Sequence, residues 1–301
     1  MYDIIIIGAG PAGLTAAIYA RRASKNVLVL EAKSYGGQII NTLDIENYPV
    51  EAHISGFDFA TKLYNQTKEL GAEIKFEKVV DINDKGQVKE VITTKNTYTA
   101  KAVIIATGSE NRKLGIEKED ELIGKGISYC ATCDGAFFRK KNVAVVGGGN
   151  TALEDALYLS DLVNKVYLIH RRDEFRGEES TVRRLKEKEN IEFVYNSNVT
   201  KLNANERLES IEVTNKDGST RTIEVDGLFV AVGRIPENEN FAKLINLDNS
   251  GYIIANEDCK TNVAGIFVAG DNRTKEVRQL VTATSDGAIA ATAAIKYINN
   301  N

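Results

Sequence analysis

One pattern occurs twice in this chain and narrows what it can fold into. Residues 3–31 read DIIIIGAGPAGLTAAIYARRASKNVLVLE, and residues 142–171 read NVAVVGGGNTALEDALYLSDLVNKVYLIHR. Each opens with a run rich in β-branched residues, as expected of a parallel strand covered on both faces. A glycine-rich turn, an apolar-periodic helix and a second aliphatic strand follow, so a βαβ unit recurs 139 positions apart, from Gly8 to Gly147. The expected fold class is α/β: two Rossmann-like three-layer dinucleotide-binding domains, the second inserted into the first.

The two turns are Gly8-Ala-Gly10-Pro11-Ala12-Gly13 and Gly147-Gly-Gly149-Asn150-Thr151-Ala152. The first glycine makes the tight turn and the second lets the backbone approach a pyrophosphate. The third position keeps helix and strand close, where alanine is tolerated. The helix N-terminus then offers free N–H groups and the positive end of its dipole to the phosphates. A single G-x-G-x-x-G also occurs as a plain turn. Here there are two, each between a predicted strand and helix, each followed by a strand ending 18 positions on (13 to 31, 152 to 170).

The strand ends separate the ligands. Glu31 is an acceptor suited to an adenosine ribose with a free 2′-hydroxyl, so the first site reads as FAD or NAD. At the equivalent place stand His170, Arg171 and Arg172, with Arg176 close behind, and guanidiniums grip a 2′-phosphate bidentately; the second site reads as NADPH. The bland alternative is a solvated charged loop. Two further segments fit FAD in the first site. Residues 102–108 form a buried strand ending in Ala106-Thr107-Gly108, and 265–271 form another that ends in Gly270 and Asp271. Asp271 is suited to a ribitol hydroxyl, or to capping an expected helix 278–298. Because these segments flank the second βαβ unit, the FAD-binding domain is expected to be discontinuous, 1–112 and 242–301. The NADPH-binding domain is 113–241, with hinges around Gly108–Gly115 and Gly233–Glu237.

With 43% hydrophobic and 27% charged residues and no long apolar run, the chain has the composition of a soluble globular protein rather than a membrane span. A net charge of −4 argues against nucleic acid as partner. MYDIIIIGAG does not read as a secretory leader, which makes the cytoplasm the expected location. Three cysteines and two histidines offer neither a disulfide framework nor a cluster at metal-ligand spacing, so no metal is expected.

The chemistry then falls to Cys130-Ala-Thr-Cys133-Asp134. Two cysteines three apart close a small disulfide ring, and a helix starting there would favour a thiolate. Half a zinc site needs a second CxxC or a histidine pair, and neither is present. Thiol exchange needs a proton donor and acceptor; His170 is assigned to the phosphate site and His53 to a distant loop, which leaves Asp134, partly buried with a raised pKa. A helix cap is its other reading. Cys259 reads as a small buried hydrophobe.

These residues resemble the low-molecular-weight thioredoxin reductases of the bacterial type, over essentially the whole chain. CATCDG at 130–135 and HRRDEFR at 170–176 are specific. GAGPAG at 8–13, GGQ at 36–38, ENYP at 46–49, ATG at 106–108, GGGNTALEDA at 147–156, VGR at 232–234, AGD at 269–271 and RQ at 278–279 are shared with other flavoproteins. The resemblance implies a homodimer that reduces thioredoxin. It places Gly37, Gln38, Asn47, Arg278 and Gln279 at the FAD, Arg234 at the NADPH, Cys133 beside the flavin, Cys130 as the thiol that attacks the partner disulfide, and Asp134 as acid/base. One departure is Val50, where the family often has glycine, and EAHISGF continues differently.

One dithiol must meet both a flavin and a bulky protein, and the ending INNN offers no relay, so the NADPH domain is expected to rotate between two positions. Three rival readings are a flavoprotein feeding a peroxidase, a ferredoxin-driven relative and a non-catalytic nucleotide sensor. They predict, in turn, an extra N-terminal redox domain, a degraded second turn and a lost dithiol.

Overall fold

The computed structural model describes residues 1–42 and 44–300; Asn301, last residue of the expected FAD domain, lies outside the described residues. The chain divides into two units, Met1–Glu110 with Ile235–Asn301, and Asn111–Arg234. In chain order the first unit opens with β1 (Tyr2–Ile7), α1 (Pro11–Arg22), β2 (Val27–Glu31), α2 (Gly56–Glu69), β3 (Glu73–Phe76), β4 (Val79–Lys85), β5 (Val88–Thr93) and β6 (Thr97–Ile105). A short β7 (Ser109–Asn111) leads out of it. The second unit holds β8 (Ile127–Ser128), α3 (Ala131–Asp134), β9 (Asn142–Gly147), α4 (Asn150–Ser160), β10 (Lys165–Ile169), α5 (Glu179–Lys186) and β11 (Ile191–Val194). It continues with β12 (Ser197–Ala204), β13 (Leu208–Asn215), β14 (Thr220–Glu224) and β15 (Gly227–Ala231). The chain returns through β16 (Arg234–Pro236) and finishes with β17 (Ile266–Val268) and α6 (Leu280–Asn300).

In the first unit β6 is central. Its second half pairs in parallel with β1 on one side and β17 on the other, while its first half pairs antiparallel with β5. The strand order is β3-β2-β1-β6-β5-β4. The four isoleucines of β1 explain why that strand reads as one apolar run. Ile4 and Ile6 enter the core under α1 and α6, and Ile5 and Ile7 enter a second core with Leu28, Val103 and Ile266 on the opposite face. Each fully buried isoleucine contributes roughly 1.5–3 kcal/mol. Helix α1 has Pro11 in its first turn and Arg21 and Arg22 in its last, the arrangement its dipole favours.

The second unit repeats this plan with a fully parallel sheet, β11-β10-β9-β15-β8. Val143 and Val145 pack with α4, and Ala144 and Val146 pack against the antiparallel sheet of β12, β13 and β14. Each unit is therefore a Rossmann-like α/β layer structure.

The connecting strands β7 and β16 pair with each other. The division at 110/111 and 234/235 precedes the expected borders at 112/113 and 241/242. The second difference has a packing cause: Phe241 and Ile245 are buried in the core of the first unit, and Asn238 donates to the carbonyls of Gly251 and Asn272. The C-terminal helix starts at Leu280 rather than 278, so Asp271 is too far upstream to cap it.

Helix α1 touches β1 almost backbone to backbone, because a Cβ on Gly13 would collide with the carbonyl of Gly8 and press on Ile6. Gly13→Ala is expected to destabilise the first unit by about 1–3 kcal/mol, read as a lower urea midpoint with unchanged slope.

Candidate active site and dinucleotide turns

Cys130 ends the segment after β8 and caps the single turn of α3, where its sulfur accepts the Cys133 N–H at 3.2 Å. The two cysteines form a disulfide with Cα atoms 5.3 Å apart. Beneath them Ser128, 4% exposed, accepts the Cys130 N–H at 3.0 Å and donates its hydroxyl to Asp134 Oδ2 at 2.6 Å. Burial pushes the Asp134 carboxyl up, opposed by that hydrogen bond. Asp134 closes α3 instead of capping its start, and its carboxylate accepts the Ser128 hydroxyl. Ser128 escaped sequence reasoning because a serine two residues before a CxxC belongs to no spacing rule.

In the first unit the structure gathers the expected turn residues. Gly8 takes φ +108, and a Cβ there would strike the Ala106 carbonyl. Gly36 donates to the Ala9 carbonyl at 2.8 Å, which lays Gly37 across Gly10 and leaves Gln38 exposed in the turn behind it. Glu31 is fixed by the N–H groups of Ala9 at 2.7 Å and Lys33 at 2.8 Å. Thr107, beside Gly108, accepts from Asn272 at 3.0 Å. Gly270 presses on Ala12. Asn47 donates to Gln279 at 3.2 Å, and Arg278 lies over the Tyr252 ring at 4.2 Å while reaching the Asp271 carbonyl at 3.4 Å. Val50 is fully exposed at φ +79, the left-handed region that favours glycine.

In the second unit Gly147 meets the Ala231 carbonyl and Ala152 as Gly8 meets Ala106. Asn150 accepts the Glu178 N–H at 2.8 Å, and Thr151 is exposed beside it. Arg171, Arg172 and Arg176 are exposed. His170 parts from them: it is 6% exposed, stacks on Phe175 and fills the space a Cβ on Gly148 would need. Burial, with the neighbouring arginines, lowers its pKa and favours the neutral ring. Asp155 was missed by sequence reasoning; burial and then Glu154 push it up to about 7, opposed by Arg234.

Two glycines have no protein reason to be glycine. Gly10 and Gly149 have ordinary extended backbones, at φ −77 and −96, and an added Cβ would meet nothing nearer than 4.0 Å at Gly10 and nothing at all at Gly149. Each is the second glycine of its turn, where a dinucleotide's pyrophosphate approaches the chain. The residues present thus fit a dinucleotide in each unit. Asp44, Glu46 and His53 bring their ligand atoms within 4.8 Å of one another. His53 bonds Asp44 at 2.8 Å and its pKa is raised by that bond, so an exposed ion pair accounts for the group.

The pattern described as pyridine nucleotide-disulphide oxidoreductase matches residues 2–287. The chain belongs to that family. Within it the chain falls in the low-molecular-weight thioredoxin reductase class. It is 43% identical to the thioredoxin reductase of Listeria innocua, over 99% of this chain and 94% of that one. The crystal structure of thioredoxin reductase from Streptococcus pyogenes is 40% identical, covers 100% of this chain and 99% of its own, and superposes with a TM-score of 0.96. That of Lactococcus lactis thioredoxin reductase (FR conformation), also 40% identical, covers 100% of both chains with a TM-score of 0.70. Among the described residues no helix is long and apolar enough to cross a membrane.

Gly10→Ala and Gly149→Ala are each expected to leave the stability unchanged or raise it by up to about 1 kcal/mol, read as an unchanged or slightly higher melting temperature. Each should still abolish dinucleotide binding at its own turn, as read by titration calorimetry. Asp134 supplies a pH test. A carboxyl raised in the folded state contributes stability that is present below its ordinary pKa and lost as pH rises through the raised value. Asp134→Asn removes that loss, so the melting temperature of the variant minus that of the wild type should grow as pH rises above the ordinary carboxyl range. A flat difference in paired thermal melts would count against the assignment.

Proposed function

We propose that this chain is an NADPH-dependent, FAD-containing disulfide reductase that passes electrons through Cys130–Cys133 to the disulfide of thioredoxin. The observation that carries this is the closed Cys130–Cys133 pair, backed by a half-buried Asp134, on a unit with its own dinucleotide turn. The relatives' names support thioredoxin as partner. The unit Met1–Glu110 with Ile235–Asn301 is read as the FAD-binding domain and Asn111–Arg234 as the NADPH-binding one, with a homodimer expected from the class and the cytoplasm as location.

FAD, when bound, supplies two electrons drawn from NADPH. Gly8, Gly10 and Gly13 with the start of α1, together with Glu31, Gly37, Thr107 and Asp271, would hold it. Gly147, Gly149, Asn150 and the exposed Arg171, Arg172 and Arg176 would hold NADPH and its 2′-phosphate. Two electrons break the Cys130–Cys133 bond and leave negative charge on sulfur. The Cys133 N–H stabilises that charge on Cys130, which favours Cys130 as the attacking sulfur. Cys130 attacks the partner disulfide, expelling one partner sulfur as thiolate, and Asp134 supplies that thiolate's proton. Cys133 then attacks the mixed disulfide at Cys130, restoring the ring and releasing the partner's second thiolate.

Since one dithiol serves both an internal and a protein partner, the second unit rotates on β7 and β16. In support, two relatives equally similar in sequence superpose with TM-scores of 0.96 and 0.70, as a hinge between conserved units produces.

Thioredoxin reduction by the FAD-loaded protein tests the reading. NADPH should support rapid turnover and NADH little. Cys133→Ser should abolish turnover while flavin bleaching by NADPH persists. Arg171→Ala with Arg176→Ala should raise the KM for NADPH about 10–100-fold, the loss of one charged hydrogen bond or more, and leave that for NADH unchanged. Flavin that NADPH cannot bleach would overturn the reading of the second unit.

A further inference from the structure

Helix α6 carries an acid in its buried face. Asp286 is 3% exposed at its side chain, Arg273 2% and Lys275 5%. Asp286 accepts two bonds from Arg273, both at 2.9 Å, one from Lys275 at 2.9 Å, and one from the Gly270 N–H at 3.0 Å. Among the described residues the cluster sets two buried cations against one buried carboxylate; Glu257, which reaches Arg273 at 3.3 Å, is 88% exposed. The fourth bond is the unusual one. An acid needed only to balance Arg273 and Lys275 has no reason to take a backbone donor from the turn between β17 and α6.

That turn is tightly held on its other sides. Gly270 takes φ +91 and leaves no room for a Cβ beside Ala12, in the first turn of α1. Ala269 donates to the Ile105 carbonyl at 2.9 Å, prolonging the pairing of β17 with β6. Gly287, next to Asp286, lies against the Ala12 carbonyl where no Cβ fits. The peptide between Ala269 and Gly270 is thereby tied to α6, and Gly270 itself is held against α1.

We propose that Asp286 is a positioning residue for the flavin site, setting the Gly270–Asp271 turn through the Gly270 N–H; this rests on the FAD reading of the first unit. The bidentate grip of Arg273 aims the carboxylate, and Arg278, through the carbonyls of Asp271 and Arg273, closes the turn from the far side. Asp271 is then presented to the ribitol chain with its backbone fixed before the flavin arrives, which lowers the ordering cost of binding.

Deleting Asp286 alone strands two buried cations, so the test balances charge. Lys275→Met keeps the acceptor. Asp286→Ala with Lys275→Met deletes it and holds the buried net charge at the wild-type value. Asp286→Asn with Lys275→Met restores an acceptor at the same charge. Apoprotein titrated with FAD, followed by flavin fluorescence, should bind within about threefold of wild type for Lys275→Met and for the asparagine double variant. The alanine double variant should bind at least about tenfold more weakly, the loss of one hydrogen bond to a charged group, with NADPH binding unchanged. Wild-type FAD affinity in the folded alanine variant, or no rescue by asparagine, overturns the proposal. Hydrogen exchange gives a check that needs no variant: the Gly270 amide of wild-type apoprotein should be protected, and exchange at the rate of an exposed loop overturns it. Wild-type protein that binds no FAD overturns the functional reading itself.

Discussion

Backbone packed on backbone sets the geometry of the first unit. Helix α1 can lie close to β1 only because Gly13 has no side chain to hold it off the Gly8 carbonyl, and Gly8 in turn sits under Ala106 at the end of β6. Two more glycines, Gly270 and Gly287, bring the β17 turn and α6 onto the same first turn of α1. A helix held this near a sheet aims its unpaired N–H groups at one spot, and that aim is what makes an anion site there. Looser packing would keep the strands but scatter the donors.

The second unit solves the same problem with different pieces. Ala152 stands where Gly13 stood, and Gly147 meets the end of β15 as Gly8 meets the end of β6. What differs is the charge at the strand ends: a carboxylate locked by two backbone N–H groups in one unit, three exposed guanidiniums in the other. A buried His170, its pKa lowered chiefly by burial, packs against Gly148 and Phe175 at the start of the arginine-bearing loop. Shape is shared between the units, and the charge at the strand ends is where they part.

How much of this was legible follows from the range of the interactions. Both βαβ units were plain in the sequence because their signals are local: strand, glycine spacing, helix, strand. The pairing of Cys130 with Cys133 was legible for the same reason. Ser128 beneath Asp134, Asp155 beside Arg234 and Asp286 beneath Gly270 were not, since each matters through burial or through a partner that spacing does not reveal. The border expected at 241/242 falls at 234/235 because Phe241 is buried in the first unit's core, a long-range contact that local spacing does not reveal. That His170 turns inward beside Gly148 while the arginines stay exposed could not be read from the motif, because a motif names neighbours in sequence and says nothing of which side chain is buried.

The third sulfur gives the chain a property of its own. Cys259 is wholly buried in the first unit's core, it donates to the Asp286 carbonyl, and burial pushes its thiol up to about 12. A thiol that neither ionises nor meets solvent is invisible to disulfide exchange. The redox pair therefore has no internal competitor: each electron pair that reaches sulfur opens the same Cys130–Cys133 bond, and reoxidation within the chain can only close that bond again.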